Sequence, residues 1–124
     1  MLVLALVAWD AAQAEPCVGL REYVEGSAGS LPVVAATRDT PVRRDPRIES
    51  PRVAVAGARR MVLVHATCTD GWAKVEGDTA APDGSVRSFT GWIRLEATCT
   101  PRWVARSPMA LPRLRALCDF EIGD

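Results

Sequence analysis

The residues best suited to chemistry in this sequence are four cysteines and one histidine, namely Cys17, Cys68, Cys99, Cys118 and His65. A thiolate beside an imidazole suits nucleophilic catalysis, whereas two close cysteine pairs suit zinc. No two of these cysteines lie within four residues of each other, so the spacing does not fit a zinc site. An even number of cysteines is typical of disulfides, and we predict no metal site and no cofactor.

Four cysteines allow three pairings, and sequence alone does not choose among them. Cys68 and Cys99 each follow an apolar, strand-like run, whereas Cys17 and Cys118 lie in the two flanks. We therefore expect the disulfides Cys17–Cys118 and Cys68–Cys99. Loop entropy would make each worth roughly 3 to 5 kcal/mol of stability.

Catalytic residues are not evident elsewhere. His65 lies in the middle of the apolar run "MVLVHATC", where a structural imidazole is commoner than a catalytic one. The carboxylates are scattered beside arginines and turn glycines, so turn capping and surface pairing explain them. Motifs of phosphate-binding loops, zinc proteases and serine hydrolases do not occur. We predict that the protein is not an enzyme, and keep a glycosidase-like acid pair only as an alternative.

Two Gly-Trp steps, "GWAKV" and "GWIRL", carry the residues best suited to binding. Side chains alternate along a strand, so Trp72 and Lys74 share one face, as do Trp92 and Arg94. We expect both tryptophans to face outward, because the other face is aliphatic. An aromatic ring beside a cation suits sugars, peptides or an acidic protein surface. The aliphatic face would consist of Ala73, Val75, Ile93 and Leu95.

A loop rich in arginine and proline, "RDTPVRRDPRIESP", extends this candidate site through Arg43 and Arg44. Interleaved acidic residues would offset part of its charge. A structural explanation of the tryptophans stays open as well, since the C-terminal stretch brings Trp103, Met109 and Leu111 to cover them.

The global composition restricts the class of protein. The chain has 124 residues, 48 % of them hydrophobic, which fits one small domain. Fifteen basic residues balance fifteen acidic ones, so there is no overall field to attract nucleic acid, and we expect no nucleic-acid partner. The N-terminal run "MLVLALVAWDAAQA" resembles a signal peptide, residues 1–14, although no Lys or Arg precedes it. We expect a periplasmic or secreted monomer with no membrane span after cleavage.

The rest of the chain indicates a mainly β fold. Short β-branched runs separated by turn residues are typical of a small barrel or sandwich, and "EGDTAAPDGSVRS" is typical of a long hairpin loop. We assign 15–30 to an N-terminal flank and linker, 31–100 to the β unit and 101–124 to a C-terminal flank. Leucines at helical spacing in "LPRLRALCDF" predict a short amphipathic helix that caps one open side.

The order of these features resembles the bacterial SH3-like (SH3b) domain family. The segments that carry the resemblance are "TPVRRDP", "VAVAGARRMVLV", "GWAKV" and "GWI", within about residues 31–98. The resemblance implies a small SH3-like β-barrel that binds peptidoglycan or a protein partner and has no active site of its own. A long insertion before Gly91 and the two cysteine-bearing flanks depart from the family pattern.

These observations lead to two hypotheses about function. The first is a non-catalytic SH3-like binding or accessory module in the periplasm or cell envelope, whose partner is peptidoglycan or a periplasmic protein. The second is a small periplasmic interaction or inhibitor protein, whose SH3-like groove is covered by its own C-terminal segment.

Overall fold

The computed structural model of the protein describes residues 17–25, 30–80 and 82–121. The predicted signal peptide lies outside the described residues, as do residues 15–16 and 26–29 of the predicted N-terminal flank and linker. The strands are β1 (Arg21–Glu22), β2 (Val33–Ala36), β3 (Thr40–Arg43), β4 (Arg52–Ala56), β5 (Met61–Thr67), β6 (Trp72–Ala80), β7 (Val86–Arg94) and β8 (Thr98–Cys99), and a 3₁₀ turn spans Leu95–Ala97.

The strands form one antiparallel sheet with the order β4-β3-β7-β6-β5-β2-β8, and β1 pairs with β5. The sheet curls into a half-barrel, and the predicted mainly β fold is confirmed. The SH3-like assignment stays a prediction. Within the described residues there is no helix with the length and apolarity that a membrane span requires.

The core lies inside the curled sheet and is built mostly from valine and alanine side chains. Val62, Val64 and Ala66 alternate with more exposed residues along β5, as the period of two predicts. On β6 and β7 the predicted inner face is confirmed, because its residues either belong to the main buried cluster or pack against it. These residues are Ala73, Val75, Ile93 and, at the margin, Leu95.

The hairpin between β6 and β7 is more regular than the sequence indicated. Much of the segment predicted as a loop continues the two strands, with Gly77 opposite Phe89 and Ala80 opposite Val86. The turn itself contains Gly84, whose φ is +88°. Of the two turn signals that the sequence offers here, Pro82-Asp83-Gly84 located the turn correctly, whereas Gly77-Asp78 is wrong, because both residues lie within β6.

All four cysteines form disulfides, but the predicted pairing is wrong. The bonds are Cys17–Cys68 and Cys99–Cys118. Strand β2 lies between β5 and β8 in the sheet, so the cysteines that follow β5 and end β8 are held apart. The N-terminal flank instead runs along β5, and the C-terminal flank returns beside β8.

Each disulfide therefore attaches one flank to the sheet. The sequence separations are 51 and 19 residues, for which loop entropy gives about 4 and about 3 kcal/mol. For a domain of this size, such contributions are comparable to the whole free energy of unfolding.

The predicted C-terminal helix does not form, since the described residues of 101–121 adopt turns. The backbone of this segment pairs with the sheet edge: the N–H of Thr100 donates to the carbonyl oxygen of Ala116 at 2.7 Å, and the N–H of Cys118 donates to that of Thr100 at 2.9 Å. Its predicted packing role is retained, because Leu111 is buried in the main core and Leu114 packs against it.

Candidate binding surface

The strand register brings three of the six predicted site residues into a row on the outer face. Trp92 on β7 lies opposite Lys74 on β6 and opposite Arg43 on β3. Directly opposed residues of antiparallel strands project to the same face and are close neighbours. We call Arg43, Trp92 and Lys74 the Trp92 row; it places an indole ring between two cations.

Gly91 explains why β3 can approach β7 closely enough to form this row. A Cβ atom at Gly91 would lie 2.5 Å from Cγ1 of Val42 and 2.7 Å from the carbonyl oxygen of Arg43. Both distances are too short for any side chain, and the second neighbour is backbone. The glycine therefore permits a close contact that seats Arg43 beside Trp92.

The three side chains of the Trp92 row differ in their freedom. Lys74 is exposed, and Trp92 is half-buried. Arg43 is also half-buried, and its Nη1 donates a hydrogen bond to the carbonyl oxygen of Ser50 at 3.3 Å. The row thus combines one restrained cation, one exposed cation and a partly accessible ring.

Trp72 has a different environment from Trp92, although both residues occur in similar Gly-Trp motifs. It is only 6 % exposed. Arg94, directly opposite on β7, places its guanidinium carbon 5.2 Å from the centroid of the Trp72 ring. The guanidinium also donates to the carbonyl oxygen of Asp70 at 3.0 Å and to Glu96 at 3.3 Å. The sequence predicted Lys74, on the same strand, as the cation beside Trp72; the cation over the ring is instead Arg94 from the neighbouring strand, and the ring is covered.

A small cleft of about 210 Å³ lies beside Trp72. Its described lining comes from the segments around β3 and the 3₁₀ turn, with no residue of 101–121. The C-terminal stretch therefore does not supply this lining: Leu111 is in the core, and Trp103 is 58 % exposed. Ile48 lines the cleft and was not predicted, although an isolated isoleucine in a polar loop was the available signal.

Arg44, the sixth predicted residue, does not join the Trp92 row. It is exposed, and its Nε lies 3.4 Å from Oδ2 of Asp45. Burial raises the pKa of Asp45, but hydrogen bonds from Arg44 and Ser50, with the charges of Arg44 and Arg47, lower it below its ordinary value overall. The predicted offset of charge in this loop is therefore present, and Asp45 organises the turn.

A second cleft, of about 320 Å³, borders the other end of the Trp92 row. Lys74 lines it together with His65, whose Nε2 donates a hydrogen bond to Oε1 of Glu76 at 2.8 Å. The acid partner of the histidine was not identifiable from sequence. Since every cysteine is in a disulfide, no thiolate is available beside this imidazole. Across the described ranges, no three His, Cys, Asp or Glu side chains come together as they would around a metal ion.

Comparison with known proteins found no matching family model, no matching curated protein and no matching solved structure.

Proposed function

We propose that this protein is a non-catalytic binding module of the periplasm or cell envelope, and that it binds peptidoglycan through the Trp92 row. The observation that carries the proposal is the register that sets Trp92 between Arg43 and Lys74. Peptidoglycan offers sugar rings, which pack on an indole, and stem-peptide carboxylates, which pair with cations.

Two further features support this location and mode of binding. Disulfides persist in oxidising compartments, and both flanks are held by one. The Trp92 row lies on the outer face of a curled sheet, where an extended polymer can cross it without a deep pocket. An acidic protein surface is the competing ligand for the same row.

Sedimentation with insoluble peptidoglycan tests the proposal. The wild-type chain is expected to sediment, and the double variant Trp92→Ala/Lys74→Ala is expected to lose at least about tenfold in affinity, as removal of an aromatic anchor commonly does. Retention should also fall with increasing salt, because the two cations are solvent-accessible.

Matched controls come from elsewhere in the chain. Trp103→Ala removes an exposed tryptophan outside the row, and Arg87→Ala removes an exposed arginine from the same strand. Both should sediment like the wild type. If the wild-type chain stays in solution, or if the controls lose as much as the double variant, the proposal is wrong.

A further inference from the structure

A larger cleft, of about 520 Å³, lies where the two disulfide-held flanks meet the end of the sheet. The N-terminal flank supplies Arg21 and Tyr23, and the C-terminal flank supplies Leu111, Arg113 and Leu114. We call it the flank cleft. Its volume is within the usual range of small-molecule sites, and its lining is mostly apolar with a few polar groups.

Both walls of the flank cleft are fixed to the sheet. On the N-terminal side, Cys17–Cys68 joins the flank to the end of β5, β1 pairs with β5, and the backbone N–H of Thr69 donates to the carbonyl oxygen of Val18 at 2.7 Å. On the C-terminal side, Leu111 is 3 % exposed and anchored in the core. A cleft with fixed walls loses little freedom when it binds a ligand.

The charged groups of the flank cleft favour an anion. Arg21 stacks over Tyr23, with its guanidinium carbon 5.5 Å from the ring centroid. Within the described part of the chain, neither Arg21 nor Arg113 forms an ion pair with a carboxylate. The acidic group of the lining, Glu96, already accepts hydrogen bonds from Arg94.

The backbone at Arg113 is a second indication. Its φ is +71°, in the left-handed region that an arginine rarely adopts. A glycine would adopt this turn without strain, so the stability of the turn does not explain the arginine. Strained residues of this kind cluster at ligand-binding sites, and Arg113 lines the flank cleft.

We propose that the flank cleft binds a small amphipathic anion, a molecule with an apolar body and one carboxylate, such as a medium-chain fatty acid. The apolar body would lie against Leu95, Leu111 and Leu114, and the carboxylate would face the guanidinium groups of Arg21 and Arg113. This proposal is independent of the Trp92 row and of peptidoglycan.

Calorimetric titration of the full chain with decanoate tests it, and decanol is the uncharged counterpart. Decanoate is expected to bind at least about tenfold more tightly than decanol, because a hydrogen bond to a charged group is worth about that factor. Absence of decanoate binding, or equal binding of decanol, would overturn the proposal. Decanoate would also fail to bind if a segment of this chain filled the cleft, so that occupant counts against the proposal as well.

The variant Arg113→Gly removes the guanidinium and relieves the backbone at the same position. It is expected to keep its melting temperature and to lose about tenfold in decanoate affinity, whereas Arg113→Lys keeps most of it. The matched control is Arg59→Gly, another arginine at positive φ (+66°), which stacks on Phe120 instead. Equal losses in both glycine variants would contradict the assignment.

A second variant covers the possibility that Arg113→Gly fails to fold. Arg21→Gln changes an exposed side chain of β1 and should lower decanoate affinity by a smaller factor while leaving sedimentation with peptidoglycan unchanged. If decanoate affinity is the same in Arg21→Gln and in the wild type, Arg21 does not face the carboxylate, and the proposal is wrong in that respect.

Discussion

The two Gly-Trp steps are nearly identical in sequence and different in structure. Trp72 is 6 % exposed beneath the guanidinium of Arg94, whereas Trp92 is half-buried between two cations. Both rings are on the outer face, as strand alternation requires. The two rings differ in the segments of the protein that surround them. The cleft lining beside Trp72 includes residues of β3 and Ile48. Trp92 lies in mid-sheet between β3 and β6.

Their glycines differ in the same way. Gly71 has φ +96° and turns the chain into β6, and a Cβ there would lie 3.0 Å from Nη2 of Arg94. Gly91 lies within β7, where β3 approaches closely and leaves no room for a side chain. One glycine is required by a backbone turn and the other by a strand contact.

The largest expected effect separates the two rings by stability. Trp72→Ala should lower the free energy of unfolding by about 3–5 kcal/mol, because it empties a buried site. Trp92→Ala should cost only about 1–2 kcal/mol, since part of its ring is already hydrated. Urea midpoints at equal m-value measure both. Equal losses would show that the two rings are covered to the same extent.

This difference marks the limit of what the sequence could predict. Alternation was enough to place Ala73, Val75 and Ile93 inside, because that pattern is local to each strand. The cover over Trp72 includes the guanidinium of Arg94, which the strand register brings from β7, and no local pattern encodes it. The pairing of Trp92 with Arg43 also joins residues that are distant in sequence. Each of the two was predicted as a site residue, but their pairing was not.

The errors have the same origin. The cysteine pairing was inferred from which elements the cysteines follow, but it is decided by β2, which inserts between β5 and β8. Leucine spacing near the C-terminus suggested a helix, yet the backbone of this segment pairs with Thr100 at the sheet edge. In both cases a contact distant in sequence outweighed a correct local observation.

A second, smaller effect tests the two glycines. Gly91→Ala should destabilise the protein by about 2–3 kcal/mol, because the carbonyl oxygen of Arg43 cannot move without displacing β3. Gly71→Ala should cost about 1–2 kcal/mol, from its positive φ and a shift of the flexible Arg94 side chain.

Indole N–H resonances of ¹⁵N-labelled protein distinguish the two glycine variants. In Gly91→Ala the Trp92 resonance should shift most, and in Gly71→Ala the Trp72 resonance should shift most. If each variant shifts the Trp72 and Trp92 resonances by similar amounts, the two glycines do not act on different tryptophans, and the contrast between them is wrong.

The smallest expected effect is acid loosening of the loop beside Trp72. The pKa of Asp45 is lower in the folded protein than in the unfolded chain, so its contribution is complete above the ordinary aspartate value of about 3.9. That contribution is lost as the pH falls through the folded pKa. Hydrogen exchange at the Trp72 indole should then rise more steeply in acid than at Trp92, because the loop supplies Ile48 to the lining of the cleft beside Trp72.

Two variants separate Asp45 from general acid effects. Asp45→Asn should make the Trp72 response independent of pH in this window. Asp83→Asn is the control, because hydrogen bonds from Ser85 lower the pKa of Asp83 as well, but at the tip of the hairpin. If Asp83→Asn removes the response and Asp45→Asn does not, the cover over Trp72 does not depend on this loop, and the contrast between the two rings must be attributed to Arg94 alone.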